Sequence, residues 1–171
     1  MPSHYIENSI PANNDVHIWY KYYDAQHQEF YQNELTDVAE ESNRIIMHTP
    51  RRYFLATTEF AAFPELNFPL YKDRVYTSAI NIPMVIFAGA AIINSSLVKV
   101  NTHNVYHYTG DTTFTVLSQN ITCKKIYATS ESELCTSACN FYFNDHYGFV
   151  LMEYNVLHKY FFSLRLHKEI K

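Results

Sequence analysis

Glycine is scarce in this chain: 3 residues in 171, together with a single tryptophan and only 18% charged side chains. Gly89, Gly110 and Gly148 stand far apart, so no glycine-rich phosphate loop and no dinucleotide-binding fingerprint can be assembled. The G-x-S-x-G elbow and the H-E-x-x-H helix are missing as well, which removes two common hydrolase patterns. Long apolar runs are also lacking. The longest, Ile82 to Ile93 (IPMVIFAGAAII), falls short of the roughly 20 residues a membrane-spanning helix needs. It reads as a buried strand or an apolar interior wall, and no transmembrane segment is expected. Basic residues are scattered, with Arg51-Arg52 and Lys124-Lys125 the notable doublets, and the formal net charge is −4. The concentrated cationic footprint that displaces counterions from nucleic acid is therefore missing, and no nucleic-acid partner is expected. The start, MPSHYIENSIPANND, has neither the basic nor the apolar region of a secretory leader. The expectation is a cytoplasmic chain, or a periplasmic or outer-envelope one whose leader has been removed.

What the sequence has in excess is aromatic: 15 Tyr and 12 Phe. Rings and β-branched side chains suit a pleated, half-buried surface, so the composition favours β-sheet. With 47% hydrophobic residues the chain can bury a core as one domain spanning 1–171. Residues up to Asn14 read as a polar arm or loop, Val16 to Tyr23 as a strand, and Phe30-Tyr31 as the opening of its hairpin partner. From Asn33, NELTDVAEESNRIIM lacks glycine and proline and carries Asp37 three residues before Glu40, which predicts a helix ending before Pro50. Arg52 to Phe60 is a candidate strand. Pro64, Pro69 and Pro83 belong at sheet edges or turns, because proline removes a ladder donor.

The second half carries the clearer pattern. Strands are expected at 97–102 and 104–108, with a tight turn at Thr109-Gly110-Asp111, a return over Thr112 to Leu117, and another strand from Ile121 to Thr129. Ser130 to Glu133 has capping-box spacing that would start one helical turn. Asn140 to Tyr154 (NFYFNDHYGFVLMEY) is a hairpin whose turn-formers surround His146. In Tyr160 to His167, Tyr160, Phe162, Leu164 and Leu166 alternate with Phe161, Ser163, Arg165 and His167, the period of a sheet with one buried face. The fold expected is mainly β (α+β): a curved antiparallel sheet or partial barrel with one helix packed against it.

Candidate chemistry is thin. His103 and His107 would sit about 13 Å apart on an extended strand, too far to share one ion. Asp145-His146 has its simplest explanation in turn formation, since neighbouring strand residues rarely orient one another. Glu153, between Met152 and Tyr154, faces solvent or is a buried carboxylate with a raised pKa. Cys123 can bridge one of the other two cysteines, Cys139 among them, in an oxidising compartment; alternatively Cys123, Cys135 and Cys139 are small buried side chains. Neither a metal nor a cofactor is expected, and the reading is of a protein that is not an enzyme, with a small Cys/His hydrolase as a distant rival. If the sheet curves, Phe114, Tyr142, Val150, Met152, Tyr154, Phe162 and Leu164 would line its concave face. Such a surface either holds a lipid or apolar small molecule or fills the core.

The runs VYHYTGDTTFTVLSQNITCKKIYAT and NFYFNDHYGFVLMEY, followed by a last strand, resemble an uncharacterised class of bacterial envelope proteins similar to the LolA-type half-barrel lipoprotein carriers. The pieces that carry this likeness are Thr113 to Val116, Cys123-Lys124-Lys125-Ile126, Tyr142-Phe143-Asn144 and Tyr147-Gly148-Phe149, roughly a third of the chain with the last strand. Those relatives usually place Gly-Thr-Phe where this sequence has Ser118-Gln119-Asn120. The resemblance implies an envelope protein binding a hydrophobic ligand, with no catalytic residues. Together these readings give an envelope-associated binding protein that uses an aromatic sheet face for an apolar ligand or a protein partner. The alternative is an assembly component (an immunity factor, or a virion or secretion-machine subunit) with no small-molecule ligand.

Overall fold

A computed structural model describes residues 4–9, 16–23, 29–49, 58, 60–72, 74–84, 87–88, 91–92 and 98–170. The chain is mainly β, with no α-helix among the described residues. Its strands are β1 (His4–Ser9), β2 (Val16–Tyr23), β3 (Glu29–Glu41), β4 (Arg44–Met47), β5 (Glu65–Asn67), β6 (Val75–Met84), β7 (Phe87–Ala88), β8 (Ala91–Ile92), β9 (Val98–Val116), β10 (Gln119–Glu131), β11 (Thr136–Asn144), β12 (Gly148–Val156) and β13 (Tyr160–Ile170). Eleven of these form one sheet in the order β5-β4-β3-β2-β1-β13-β12-β11-β10-β9-β6, and β7 pairs with β8 alone. Every pairing is antiparallel except that of β1 with β13. The sheet is not closed into a barrel: β5 and β6 are its two edges.

Strands β9 to β13 are successive neighbours, the meander that the alternation predicted. Two cross-strand rows build its buried face. Ile126, Phe141, Met152 and Leu164 lie side by side, and so do Tyr106, Ala128, Cys139, Tyr154 and Phe162. Tyr154 stacks on Phe162 with ring centroids 4.9 Å apart and meets Phe141 edge-on at 5.9 Å. Met47, Ala61, Ala62 and Leu66 close over this face, with Phe60, Phe68 and Leu70 packed beside them. The Tyr106 hydroxyl donates to the Phe63 carbonyl at 3.0 Å, so the covering segment is tied to the sheet by a buried hydrogen bond.

Several expectations are corrected. The helix predicted from Asn33 is absent: Glu29–Glu41 and Arg44–Met47 form a hairpin turning at Ser42-Asn43. Asn43 accepts from the Phe68 amide through its carbonyl, and the ladder partners on both sides outweigh a weak capping spacing. Residues 4–9, expected in a loose arm, form a strand between β2 and β13. Thr109-Gly110-Asp111 is not a turn, because β9 runs straight through it. Gly110 pairs with Lys125 and Tyr108 with Ile126, which leaves Thr109 as the extra residue of a β-bulge, and Gly110 has a φ of 119° that favours glycine.

The β9–β10 turn lies instead at Leu117-Ser118, with φ of 49° and 65°, the left-handed pair of a two-residue hairpin. Ser130 belongs to β10 and no helical turn follows it. The Ser132 hydroxyl accepts from the Leu134 and Cys135 amides and closes a short turn. The 82–93 run is divided among the end of β6, β7 and β8, with Ile82 buried at its start. The candidate strand from Arg52 to Phe60 lies outside the described residues apart from Thr58 and Phe60. Pro83 does sit on an edge strand, and Pro64 and Pro69 flank the other edge.

Candidate functional site

Alternate residues of a strand face opposite ways, so the odd three-residue step from Cys123 to Ile126 places them on opposite sides of β10. The aromatic face expected from the sequence is divided by this geometry. Met152, Tyr154, Phe162 and Leu164 pack in the main core with Ile126. Phe114 and Tyr142 pack in a second cluster, around Val116, Cys123, Val150 and Leu166. Plain alternation on β11 turns Tyr142 away from Phe141 and Met152, while the Thr109-Gly110 bulge turns Phe114 away from the Tyr106 side; a second bulge at Val150 in β12 sets Val150 with Tyr142. Phe114 meets Tyr142 edge-on at 5.3 Å, and the Lys125 ammonium lies 5.7 Å from the Tyr142 ring. The face that was to hold an apolar ligand is already occupied by the chain's own Met47, Ala61, Ala62 and Leu66.

The cysteines divide in the same way. Cys139 is in the main core, Cys123 in the second cluster, and all three thiols are free, so the Cys123–Cys139 bridge is not made. Burial pushes the Cys123 thiol up to about 11 and the Cys139 thiol up to about 12. Thiols with so raised a pKa are poorer nucleophiles than exposed ones.

His146 sits at the hairpin tip. Asn144 Oδ1 accepts from the His146 and Tyr147 amides, and Lys124 Nζ reaches both Asp145 oxygens, at 2.8 and 2.7 Å. His103 and His107 lie on β9 opposite Glu131 and Tyr127. Glu153 is half-buried, and its Oε2 accepts from the Tyr142 hydroxyl at 3.0 Å. That hydroxyl is pushed up to about 12, first by burial and then by the hydrogen bond to Glu153.

Among the described residues, two concavities stand out. One lies on the outer surface of β10–β13, where Tyr127, Asn140, Glu153 and Ser163 form one cross-strand row and Ala138, Asn155 and Phe161 the next. It is an open groove of about 560 Å³ edged by Tyr127 and Phe161, which are 41% and 58% exposed. Leu134, Leu157 and Tyr160 are exposed at the same end of the sheet. The Leu157 amide donates to the Thr136 carbonyl, so the β10–β11 and β12–β13 turns lie side by side. Leu157 and His158 have φ of 56° and 55°, a strained turn for residues with side chains.

The other concavity, about 530 Å³, lies at the seam between the edge strands β5 and β6 and is lined by Arg44, Glu65, Asn67, Arg74, Tyr76 and Tyr108 among others. Sequence reasoning passed over every one of these residues. Their only signal was polar side chains beside the prolines of the 64–69 stretch. No family model matches the chain, and neither a curated protein nor a solved structure matches it.

Proposed function

We propose that this chain is a non-enzymatic binding protein that docks a protein partner on the outer surface of β10–β13, centred on Phe161. The observation that carries this reading is the exposure of Tyr127 and Phe161 at the edges of a groove with a polar floor, at the end of the sheet whose turns carry the exposed Leu134 and Leu157. Solitary exposed apolar residues are ordinary, whereas a contiguous patch rimmed by polar groups marks an interaction surface. Aromatic anchors of this kind dominate binding energy when a partner excludes water from them. Asn155 Oδ1, buried beside the groove, has no hydrogen-bond partner among the described residues, and a rotation of its side chain would bring an acceptor to a partner N–H.

A partner on this surface is preferred to a lipid inside the sheet, because the inner aromatic face is filled by residues 60–70. An envelope setting, which the likeness to the LolA-type carriers implies, belongs to the same proposal and is tested by cell fractionation.

The test is affinity capture with the wild type and with a Tyr127→Ala/Phe161→Ala double variant. Both positions are exposed, so the variant is expected to keep its circular dichroism spectrum and melting temperature. A protein retained by the wild type and lost by the double variant supports the docking surface. Equal retention by both, or a lipid that co-purifies with both in native mass spectrometry, overturns it.

A further inference from the structure

The seam between β5 and β6 contains a buried carboxylate that is only half satisfied. Glu65 is 2% exposed, and its Oε1 accepts from Arg44 Nε at 2.9 Å and from Asn67 Nδ2 at 3.0 Å. Its Oε2 has no hydrogen-bond partner among the described residues. An ionised carboxylate offers about four acceptor sites, and leaving buried ones empty is unfavourable. The Tyr76 hydroxyl donates to the Glu65 carbonyl at 2.6 Å, which holds the two sheet edges together at the back of the pocket. The last torsion of a glutamate is soft, so a modest rotation presents Oε2 to the cavity.

From this arrangement we infer that the seam pocket is a binding site for a neutral, hydroxyl-rich ligand of sugar-like chemistry. Three features select that class. Oε2 requires a donor, which an anion without N–H or O–H groups does not bring. A cation is opposed by Arg44 and Arg74, since among the described residues the lining carries two positive side chains against one carboxylate. The remaining N–H groups of Arg44, together with Arg74 and Asn67, supply donors that a hydroxyl oxygen accepts, while Phe68, Tyr71 and Tyr108 offer ring surface to C–H groups. A hydroxyl both donates and accepts, so one ligand group can serve Glu65 and an arginine together. The volume of about 530 Å³ falls within the range of small-molecule sites.

Saturation-transfer NMR on the full chain tests the assignment, with glucose, galactose, mannose and N-acetylglucosamine as probes and with glycine and inorganic phosphate as zwitterionic and anionic comparators. At least one sugar at millimolar concentration is expected to show transfer. Glu65→Gln, which puts a donor where an acceptor is needed, is expected to weaken binding about tenfold or more. Because Glu65 is buried and that variant can unfold, Asn43→Trp at the exposed rim supplies a second arm: it narrows the entrance without touching the Arg44–Glu65 pair and should weaken binding comparably. Absence of transfer from all four sugars overturns the inference. So does binding undiminished in Asn43→Trp, or binding of glycine or phosphate in place of the sugars.

Discussion

A thiol reagent added to the native protein probes both the core and its division into two clusters. Cys123 and Cys139 are each 1% exposed and Cys135 is 6% exposed. Burial raises the Cys123 pKa from 9.0 to about 11, so at about pH 8 its thiolate fraction falls from about one in ten to about one in a thousand. That is about a hundredfold loss of reactivity before access is considered, and for Cys139, raised to about 12, the loss is about a thousandfold. The sign for stability follows. These thiols stabilise the fold fully below pH 9.0, and that contribution is lost as pH rises toward about 11 and about 12, since the unfolded chain releases the protons first. Colour development with a disulfide reagent should therefore be slow in buffer and rapid, at three equivalents, in denaturant. The urea midpoint should fall as pH rises above about 9. Prompt reaction of even one equivalent with the native protein would refute the burial. A Cys123–Cys139 bridge detected by mass spectrometry in natively oxidised protein would refute their placement in two separate clusters.

Other perturbations test particular contacts. Tyr106→Phe removes the donor to the buried Phe63 carbonyl and should lower stability by about 1–3 kcal/mol in urea titration. Met152→Ala, at a position with no exposed surface, should lower it by about 2–5 kcal/mol by the same assay. Ser118→Gly relieves a left-handed residue in an exposed turn and should raise stability by about 0.5–1 kcal/mol, seen as a rise of about 1–4 °C in calorimetry.

The meander was legible because its strands alternate: Phe162 and Leu164 turn into the main core while Phe161, Ser163 and Arg165 do not. The Asn144–Gly148 hairpin was legible because its turn uses residues that tolerate the required backbone. Elsewhere the turn chemistry misleads. Gly110 marks a bulge, whereas the tight turns at Leu117-Ser118 and Leu157-His158 carry side chains that rarely adopt positive φ, so strand pairing imposes them. The β9 bulge explains why Phe114 leaves the main core: one extra residue reverses every side chain beyond it, and in the sequence Gly110 reads as a turn instead of as that reversal. The 33–47 hairpin was hidden because Asp37, Glu40 and Glu41 suit a helix when only local neighbours are considered. The seam pocket depends on Arg44, Glu65 and Tyr76 meeting across separate strands, which no local spacing encodes.

The parallel pairing of β1 with β13 has a consequence for assembly. Ile6 lies beside Leu166, so the join at the middle of the great sheet links residues far apart along the sequence. The ribbon β2–β5 and the meander β9–β13 can each form from near neighbours, but they fuse only after residues past 160 have been synthesised. Long-range closures of this kind slow folding and leave strand borders bare in the interval. Deleting residues 4–9 should therefore uncover β2 and β13 as two new borders and produce a chain prone to pairing with copies of itself.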